Sequence, residues 1–179
     1  MANEAMMARL SEQLFSDPEM TVYAVLDGAS VPGLVRKLWE VKPKYYCLFP
    51  GELEPDMAEV APYVVELEPD SQFTQWVIDG GWGNHWGIFA SAPEDLRKMR
   101  GHFRSLVKVM DEAGTPMYFR FYDPRVMRTF LPTCNAEELS ELFGPSTSYR
   151  LEAEDPNVLL CLRNDAGELH TDEIKLARA

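Results

Sequence analysis

The chain has 179 residues, with 17 Lys and Arg against 29 Asp and Glu, so its formal net charge is −12 at pH 7. This charge argues against general nucleic-acid binding, because neutralising phosphates requires a surplus of cations. The length suits one domain, and three widely spaced cysteines fit free, buried thiols in a reducing cytoplasm better than a disulfide framework.

The charges are unevenly distributed along the chain. No Lys or Arg occurs between Tyr45 and Leu96, whereas eight cations follow between Arg97 and Arg128. These residues form either solvated faces that neutralise one another or a basic patch for an acidic protein partner. The N-terminus lacks a basic segment followed by an apolar one, and no uncharged run approaches the roughly 18 residues of a membrane span. We therefore expect a cytoplasmic protein with no membrane partner.

The first half of the chain alternates predicted helices and strands. An amphipathic helix is predicted over 3–16, and a nearly continuous apolar strand over 21–26. Asp27 to Ser30 then turns the chain into a helix at about 31–40, with Ser30 as its N-cap. Further strands are predicted at 45–49, 61–67 and 85–90, with a helix at 71–79 that ends at Gly80 and Gly81.

The second half begins with a long helix. It starts at Pro93, runs to about Glu112, and is followed by a strand from Met117 to Tyr122. Asp123 and Pro124 stop this strand and start a short helix to about Leu131, and Asn135 caps another helix that ends at Phe143. Two strands are predicted at 148–152 and 158–163, and the polar tail to Ala179 is only weakly helical.

Strands separated by helices or short loops predict an α/β fold. We expect a mostly parallel central sheet of about five strands with flanking helices, plus a small C-terminal helical and β extension. Residues 1–131 would form the core domain and residues 132–179 the extension, unless the two form one continuous domain.

The sequence contains no convincing catalytic pattern. Glycines at 80–87 follow a helix and precede a strand, with no nearby lysine, which is the wrong order for a phosphate loop. The three histidines are isolated, so the sequence predicts no metal or other cofactor. Asp27 and Glu66 are candidates for a dispersed acid–base pair at strand ends, where α/β proteins bind ligands.

Residues 117–126 combine aromatic side chains with arginines. Strand alternation would place Arg120 and Tyr122 on the face opposite Phe119 and Phe121, so a buried Arg120 would need a carboxylate or carbonyl partner. In one interpretation, Arg120, Asp123 and Pro124 hold a strand–helix junction together. In the other, arginines and nearby aromatics form a recognition surface. The candidate partner-binding residues are Arg125, Arg128, Tyr122, Trp86 and Phe143.

Seven short motifs in this order resemble the type VI secretion effector adaptor-chaperones of the Tap/TEC type, a family formerly catalogued as a domain of unknown function. They are Tyr-Ala-Val-Leu-Asp-Gly-Ala (23–29), Cys-Leu-Phe-Pro-Gly (47–51), Val-Ala-Pro-Tyr-Val-Val-Glu-Leu (60–67), Trp-Gly-Ile-Phe (86–89), the helix from Leu96 through His-Phe-Arg (102–104), Phe-Arg-Phe-Tyr-Asp-Pro-Arg-Val (119–126) and Phe-Gly-Pro (143–145). The resemblance covers about 21–150.

The resemblance implies a bacterial cytoplasmic protein that is not an enzyme. Such a protein binds a toxin effector, keeps it ready for loading, and helps transfer it to the VgrG spike protein of the secretion apparatus. It implies no catalytic residues and no cofactor. The alternative that the residues leave open is a small α/β enzyme acting on an unidentified metabolite.

Overall fold

The structure is a computed structural model that describes residues 2–177. Its helices are α1 (Ala2–Leu14), α2 (Leu34–Val41), α3 (Pro55–Val60), α4 (Gln72–Gly81), α5 (Leu96–Val107), α6 (Pro124–Phe130) and α7 (Ala136–Phe143), with a 3-10 turn at Leu131–Thr133. The strands are β1 (Thr21–Asp27), β2 (Tyr45–Cys47), β3 (Pro62–Leu67), β4 (Gly87–Ala92), β5 (Lys108–Met110), β6 (Pro116–Tyr118), β7 (Ser148–Glu152), β8 (Val158–Asp165) and β9 (Glu168–Lys175).

The predicted parallel five-stranded sheet is wrong. Seven strands form one sheet in the order β2-β3-β1-β4-β7-β8-β9, and every neighbouring pair is antiparallel. Strands β5 and β6 form a separate antiparallel ribbon. The architecture is therefore a mostly antiparallel sheet with helices on both faces.

The reason for the error lies in the position of β1. Strands β3 and β4 run in the same direction and are joined through α4, as in a parallel unit, but β1 lies between them and pairs with both in the antiparallel sense. Helices cover both faces of the sheet, so central strands are apolar on both sides. A continuous apolar run is typical of parallel strands for this same reason, and it does not reveal strand direction.

Two buried clusters fill the space between the sheet and its helices. Along β1, Tyr23 and Val25 face one cluster, which α5, α6 and α7 cover, whereas Val22, Ala24 and Leu26 face the other, which α1, α2 and α4 cover. Strands β7 to β9 continue the same sheet, and residues on both sides of the proposed boundary at 131 contribute to each cluster.

The predicted strand from Met117 to Tyr122 is present only at its start, and it lies in the separate ribbon instead of the main sheet. The long helix ends at Val107, five residues before the predicted end, and the chain continues as β5 and a turn into β6, which stops at Tyr118. Gly114 has φ 78°, a conformation that glycine adopts without strain, and it allows this hairpin to form. Residues 119–123 leave the ribbon without strand structure and lead into α6.

The prediction of a weakly helical C-terminal tail is also wrong, because residues 168–175 form β9. Residues 178 and 179, which the predicted tail includes, lie outside the described residues. The turn before β9 has positive φ at Ala166 (50°) and Gly167 (92°), as a tight hairpin of the I′ type requires.

The predicted N-cap at Ser30 is wrong, because α2 begins at Leu34 and its N-cap is Gly33. Caps at Asp123 and Asn135 are confirmed.

Candidate functional site

One end of the sheet brings together three buried carboxylates. Asp27 is the last residue of β1, and Glu152 is the last residue of β7. Both strands end beside the start of β4, because Leu26 lies opposite Gly87 and Arg150 lies opposite Phe89. Asp123, at the start of α6, is the third. Their exposed fractions are only 1% for Asp27, 3% for Asp123 and 3% for Glu152. Buried carboxylates require hydrogen-bond donors or cations close by.

Asp27 is satisfied by its own turn and by a distant arginine. Its Oδ1 accepts from the Ala29 N–H at 3.1 Å, and its Oδ2 accepts from the Ser30 hydroxyl at 2.8 Å. The Arg120 guanidinium also donates to Oδ2 from 93 positions further along the chain. Arg120 thereby fixes the segment after β6 to the end of β1. No contact pairs Asp27 with Glu66, whose carboxylate instead accepts from Lys44 at 2.8 Å.

Asp123 caps α6 and binds Arg125. Its Oδ1 accepts from the Arg125 backbone N–H at 2.9 Å and from Nε at 3.0 Å, while Oδ2 accepts from Nη2 at 2.8 Å. Burial alone would raise the pKa of Asp123, but the hydrogen bonds from Arg125 outweigh burial and lower it. Pro124 is buried at the first helical position, where proline is favoured. These contacts agree with a structural role for Asp123 and Pro124.

Glu152 forms a second set of polar contacts that the sequence does not predict. Its carboxylate accepts from the Gly83 N–H at 2.5 Å and contacts Nδ1 of His85. Arg128 donates from Nη1 to the Glu152 carbonyl oxygen at 2.8 Å. His85 and Glu152 are 67 positions apart, and nothing in the local sequence of either residue indicates the other.

Two of the predicted partner-binding residues lie in the core. Tyr122 is 4% exposed and Phe143 is 3% exposed. Burial, followed by the nearby Asp27 carboxylate, raises the pKa of Tyr122 to about 12. Phe143 packs against Tyr149 with ring centroids 5.0 Å apart. Neither side chain can contribute to a surface contact in this conformation.

Trp86 is half-buried and packs on the end of α4. Its ring centroid is 4.8 Å from that of Trp76. A Cβ added at Gly80 would lie 2.6 Å from the Trp86 ring, and one added at Gly81 would lie 3.0 Å from it. The glycine-rich stretch therefore gives this indole room to approach the helix closely.

Apolar side chains lie exposed or half-buried along the β5–β6 ribbon and on α6. We call this set the aromatic surface, and its members are the exposed Met110, Tyr118 and Phe130 and the half-buried Phe49 and Phe119. Tyr118 is 65% exposed and lies 5.1 Å from Phe49, while Phe119 lies 4.9 Å from Phe130 between ring centroids. Arg125, Asp123, Val126 and Phe130 line an adjoining open groove of about 700 Å³.

Several of the eight cations between Arg97 and Arg128 bind groups within the chain. Arg104 donates to the carbonyl oxygens of Cys47 and Phe49, and the Arg100 guanidinium lies 4.6 Å from the centre of the Tyr46 ring. Lys98 forms an ion pair with Glu94 at 2.6 Å. These contacts favour the interpretation that the segment neutralises nearby groups over that of a single unoccupied basic patch.

Within residues 2–177, no three or more His, Cys, Asp and Glu side chains group in a way that could hold a metal ion. The helices in this part of the chain are all too short or too polar to cross a bilayer. The three cysteines are free; Cys161 is buried, and Cys47 and Cys134 are partly exposed.

The fold is that of an α/β protein with a mostly antiparallel sheet. At one end of this sheet, buried carboxylates accept hydrogen bonds from arginines of the same chain, and an apolar surface lies beside them. The chain belongs to the DUF4123 family, described as a domain of unknown function, whose model matches residues 22–141. This match includes Asp27, Arg120, Asp123 and Arg125. Comparisons with curated proteins and with solved structures gave no match.

Proposed function

We propose that this protein is a cytoplasmic adaptor that binds a type VI secretion toxin effector and promotes its loading onto a VgrG spike protein. The observation that carries the proposal is membership of the DUF4123 family over residues 22–141. Six of the seven motifs that resemble effector adaptor-chaperones lie within this match, and the seventh, at 143–145, follows directly after it; all seven occur in the same order.

The charged end of the sheet favours a binding protein over the alternative, an enzyme acting on a metabolite. A carboxylate that acts as a general acid or base must reach the proton that it transfers, and burial on every side restricts this access. Asp27 and Asp123 each accept from an arginine, and Glu152 accepts from Gly83 and contacts His85. These groups hold the turn after β1, the start of α6 and the loop before β4 in place.

The aromatic surface is the part of the molecule that we assign to the effector. Exposed clusters of large apolar side chains on a folded domain commonly mark protein contacts, and Tyr and Arg are enriched among residues that dominate binding. Tyr118 and Phe130 supply aromatic area, and the half-exposed Arg125 lies at the groove that adjoins Phe130. An effector segment with an apolar face and a carboxylate would fit this combination.

The adaptor proposal is tested by co-expression with the toxin encoded beside this protein. With the adaptor present, the toxin should be recovered in the soluble fraction and should co-purify with VgrG. If toxin solubility and its association with VgrG are the same with and without the adaptor, the proposal fails.

The assignment of the surface is tested with Tyr118→Ser combined with Phe130→Ser. Neither side chain belongs to the two buried clusters, so the protein should still fold, with an unfolding midpoint lowered by the loss of the ring contacts to Phe49 and Phe119. Toxin capture should fall at least about thirtyfold, because truncating a single hot-spot residue costs about 2 kcal/mol or more. Trp39→Ser is the matched control, since Trp39 is 71% exposed but lies on α2, on the other face of the sheet. Equal capture by the double variant and the control would remove the aromatic surface from the proposal.

Charge reversal at Arg125 and Arg128 would not separate partner binding from folding. Arg125 binds the carboxylate that caps α6, and Arg128 holds the end of β7 through a carbonyl oxygen. Reversing both charges would destabilise the fold as well as any partner contact. Arg125 nevertheless remains a proposed partner contact, because its side chain is 52% exposed.

A further inference from the structure

Strand β9 forms one edge of the seven-stranded sheet, and no strand within residues 2–177 pairs with its outer side. It has eight residues, most of them exposed, whereas β2 at the opposite edge has three. A long exposed edge presents a row of unpaired N–H and C=O groups to any extended segment.

The hydrogen bonds to β8 identify which groups of β9 are unpaired. The Leu176 N–H donates to the Asn157 carbonyl oxygen at 2.8 Å, so the even-numbered residues of β9 direct their backbone groups toward β8. Backbone direction alternates along a strand of an antiparallel ladder. The groups directed to the open edge therefore belong to Leu169, Thr171, Glu173 and Lys175.

We propose that this edge pairs with the same edge of a second copy of the chain, antiparallel and with the two-fold axis at Thr171. In this register Thr171 lies opposite Thr171 of the second copy, and Leu169 lies opposite Glu173, so residues with open backbone groups meet each other. On the other face of the sheet, His170 lies opposite Asp172 on both sides of the axis. This inference is independent of the adaptor proposal.

The charges of β9 select this register over its neighbours. With the axis at His170, Glu168 would lie directly opposite Asp172, and with the axis at Asp172, that carboxylate would lie opposite itself. Like charges directly opposite each other destabilise a strand pair. With the axis at Thr171, no two carboxylates are opposite, and Asp172 lies between its own Arg163, which donates to it at 2.5 Å, and His170 of the second copy.

Charged residues on an edge strand normally prevent indiscriminate pairing. Here they oppose shifted registers while the symmetric register is self-complementary. A second copy is therefore a better occupant than an arbitrary extended peptide, because the complementarity arises from the chain's own sequence. The pairing would join two seven-stranded sheets into one.

Light scattering coupled to size-exclusion chromatography, at a series of concentrations, tests the proposal with the full chain. The wild type should approach twice the mass of one chain as concentration rises. Thr171→Asp places two carboxylates at the axis and should reduce the mass to that of one chain, whereas the control Thr171→Val keeps a β-branched side chain and should still associate. A wild type with the mass of one chain at every concentration would overturn the proposal.

A cysteine at the axis tests the register itself. In the proposed pair the two Cα atoms at position 171 would be about 5.5 Å apart, within the range of a disulfide. Mild oxidation should therefore link Thr171→Cys into covalent dimers far more than His170→Cys or the wild type with its three native cysteines. Equal cross-linking of the two variants would refute the register. If the wild type is a single chain and Thr171→Asp instead reduces toxin capture, the edge serves a different protein and the self-pairing proposal is wrong.

Discussion

Arg120 and Arg125 both lie beside Asp123, but they bind different groups. Arg120 reaches the buried Asp27 and comes within 3.8 Å of Asp123, whereas Arg125 binds Asp123 alone with its side chain. Removing Arg125 leaves Asp123 with the Arg125 backbone N–H and the nearby Arg120. Removing Arg120 takes away the cation that bridges β1 and the segment before α6, so the two arginines should differ in their effect on stability.

We expect Arg120→Ala to lower the free energy of unfolding by about 1.5–3 kcal/mol, because it removes a hydrogen bond to a buried charged group. Arg125→Ala should cost about 1 kcal/mol or less, because its ion pair is half-exposed and screened by solvent. Urea denaturation of both variants measures the difference. A larger loss for Arg125→Ala would reverse the assignment of the two roles.

His102 provides a separate prediction about pH. Burial lowers its pKa, although the ring Nε2, which donates to the Leu142 carbonyl oxygen at 3.1 Å, partly opposes this effect. The unfolded chain, with an ordinary histidine pKa near 6.5, then binds the proton more readily than the folded chain. The stability contributed by neutral His102 is fully present above about pH 6.5 and is lost as the pH falls toward the folded pKa.

His102→Gln keeps a hydrogen-bond donor and has no titrating group. The unfolding midpoint of the wild type should fall more than that of this variant between about pH 7.5 and about pH 5.5. Thermal denaturation of both proteins in matched buffers measures the two slopes. Parallel slopes would mean that His102 does not contribute to acid sensitivity.

At the level of elements, the sequence predicts helices well where the signals are local. Asn135 and Glu138 form a complete capping box at α7, and Asp123 with Pro124 starts α6 as expected. The end of α5 is different, because apolar spacing continues through Met110 while the chain has already entered a ribbon. Periodicity describes which side chains face the core, and it cannot distinguish the last helical turn from a short strand that continues it.

In the candidate site, too, the sequence predicts what is local and does not predict contacts between distant segments. The pattern around Arg120 predicts a carboxylate or carbonyl partner, but it does not identify Asp27, which lies at the end of another strand. Glu152 and His85 meet only because β4 and β7 pair. Tyr122 and Phe143 have the residue types of a binding surface, yet both fill the core, since an aromatic side chain in isolation indicates either use.

The end of α4 allows a prediction about glycine. In an exposed helical position, Gly→Ala normally stabilises by about 0.5–1 kcal/mol. At Gly80 the new Cβ would lie 2.6 Å from the Trp86 ring, so we expect Gly80→Ala to destabilise, by about 1–3 kcal/mol. At Gly101 on α5 the added Cβ would meet no atom within 4 Å beyond the neighbouring helix backbone, so Gly101→Ala should instead stabilise.

Combining Gly80→Ala with Trp86→Leu separates the two effects. If the ring causes the clash, Gly80→Ala should be neutral or stabilising in the Trp86→Leu background. Denaturation midpoints of the four proteins in this cycle measure the coupling. Additive losses would show that the cost at Gly80 has another origin.

At the level of the whole molecule, the strand order is what the sequence does not reveal. Each central strand is identified by its apolar residues, but the pairing of β1 with β3 and β4 depends on contacts between segments far apart in the chain. Strand direction leaves no mark on a strand that is buried on both faces. The same non-local pairing joins β7, β8 and β9 to β4.

This topology leads to a prediction for the boundary at residue 131. A chain ending at Leu131 would lack α7 and three strands of the sheet, and it would expose one edge of β4. It would also lose Leu139, Leu142 and Tyr149 from the cluster that contains Phe103. We therefore expect the 1–131 fragment to show no cooperative unfolding transition, because the remaining helices on that face would cover too little of the sheet.

A chain ending at Asp165 is the matched comparison, because it removes only the turn at 166–167, the edge strand β9 and the residues after it. This shorter deletion also removes Ile174 and Leu176 from the other cluster, so it should be less stable than the full chain but should still unfold cooperatively. Urea titrations followed by tryptophan fluorescence distinguish the two fragments, since all four tryptophans precede residue 131. If the 1–131 fragment unfolded cooperatively at a midpoint near that of the full chain, residues 132–179 would be an appended unit. If the 1–131 fragment does not unfold cooperatively but the 1–165 chain does, then α7, β7 and β8 belong to the same folding unit as the helices and strands before them.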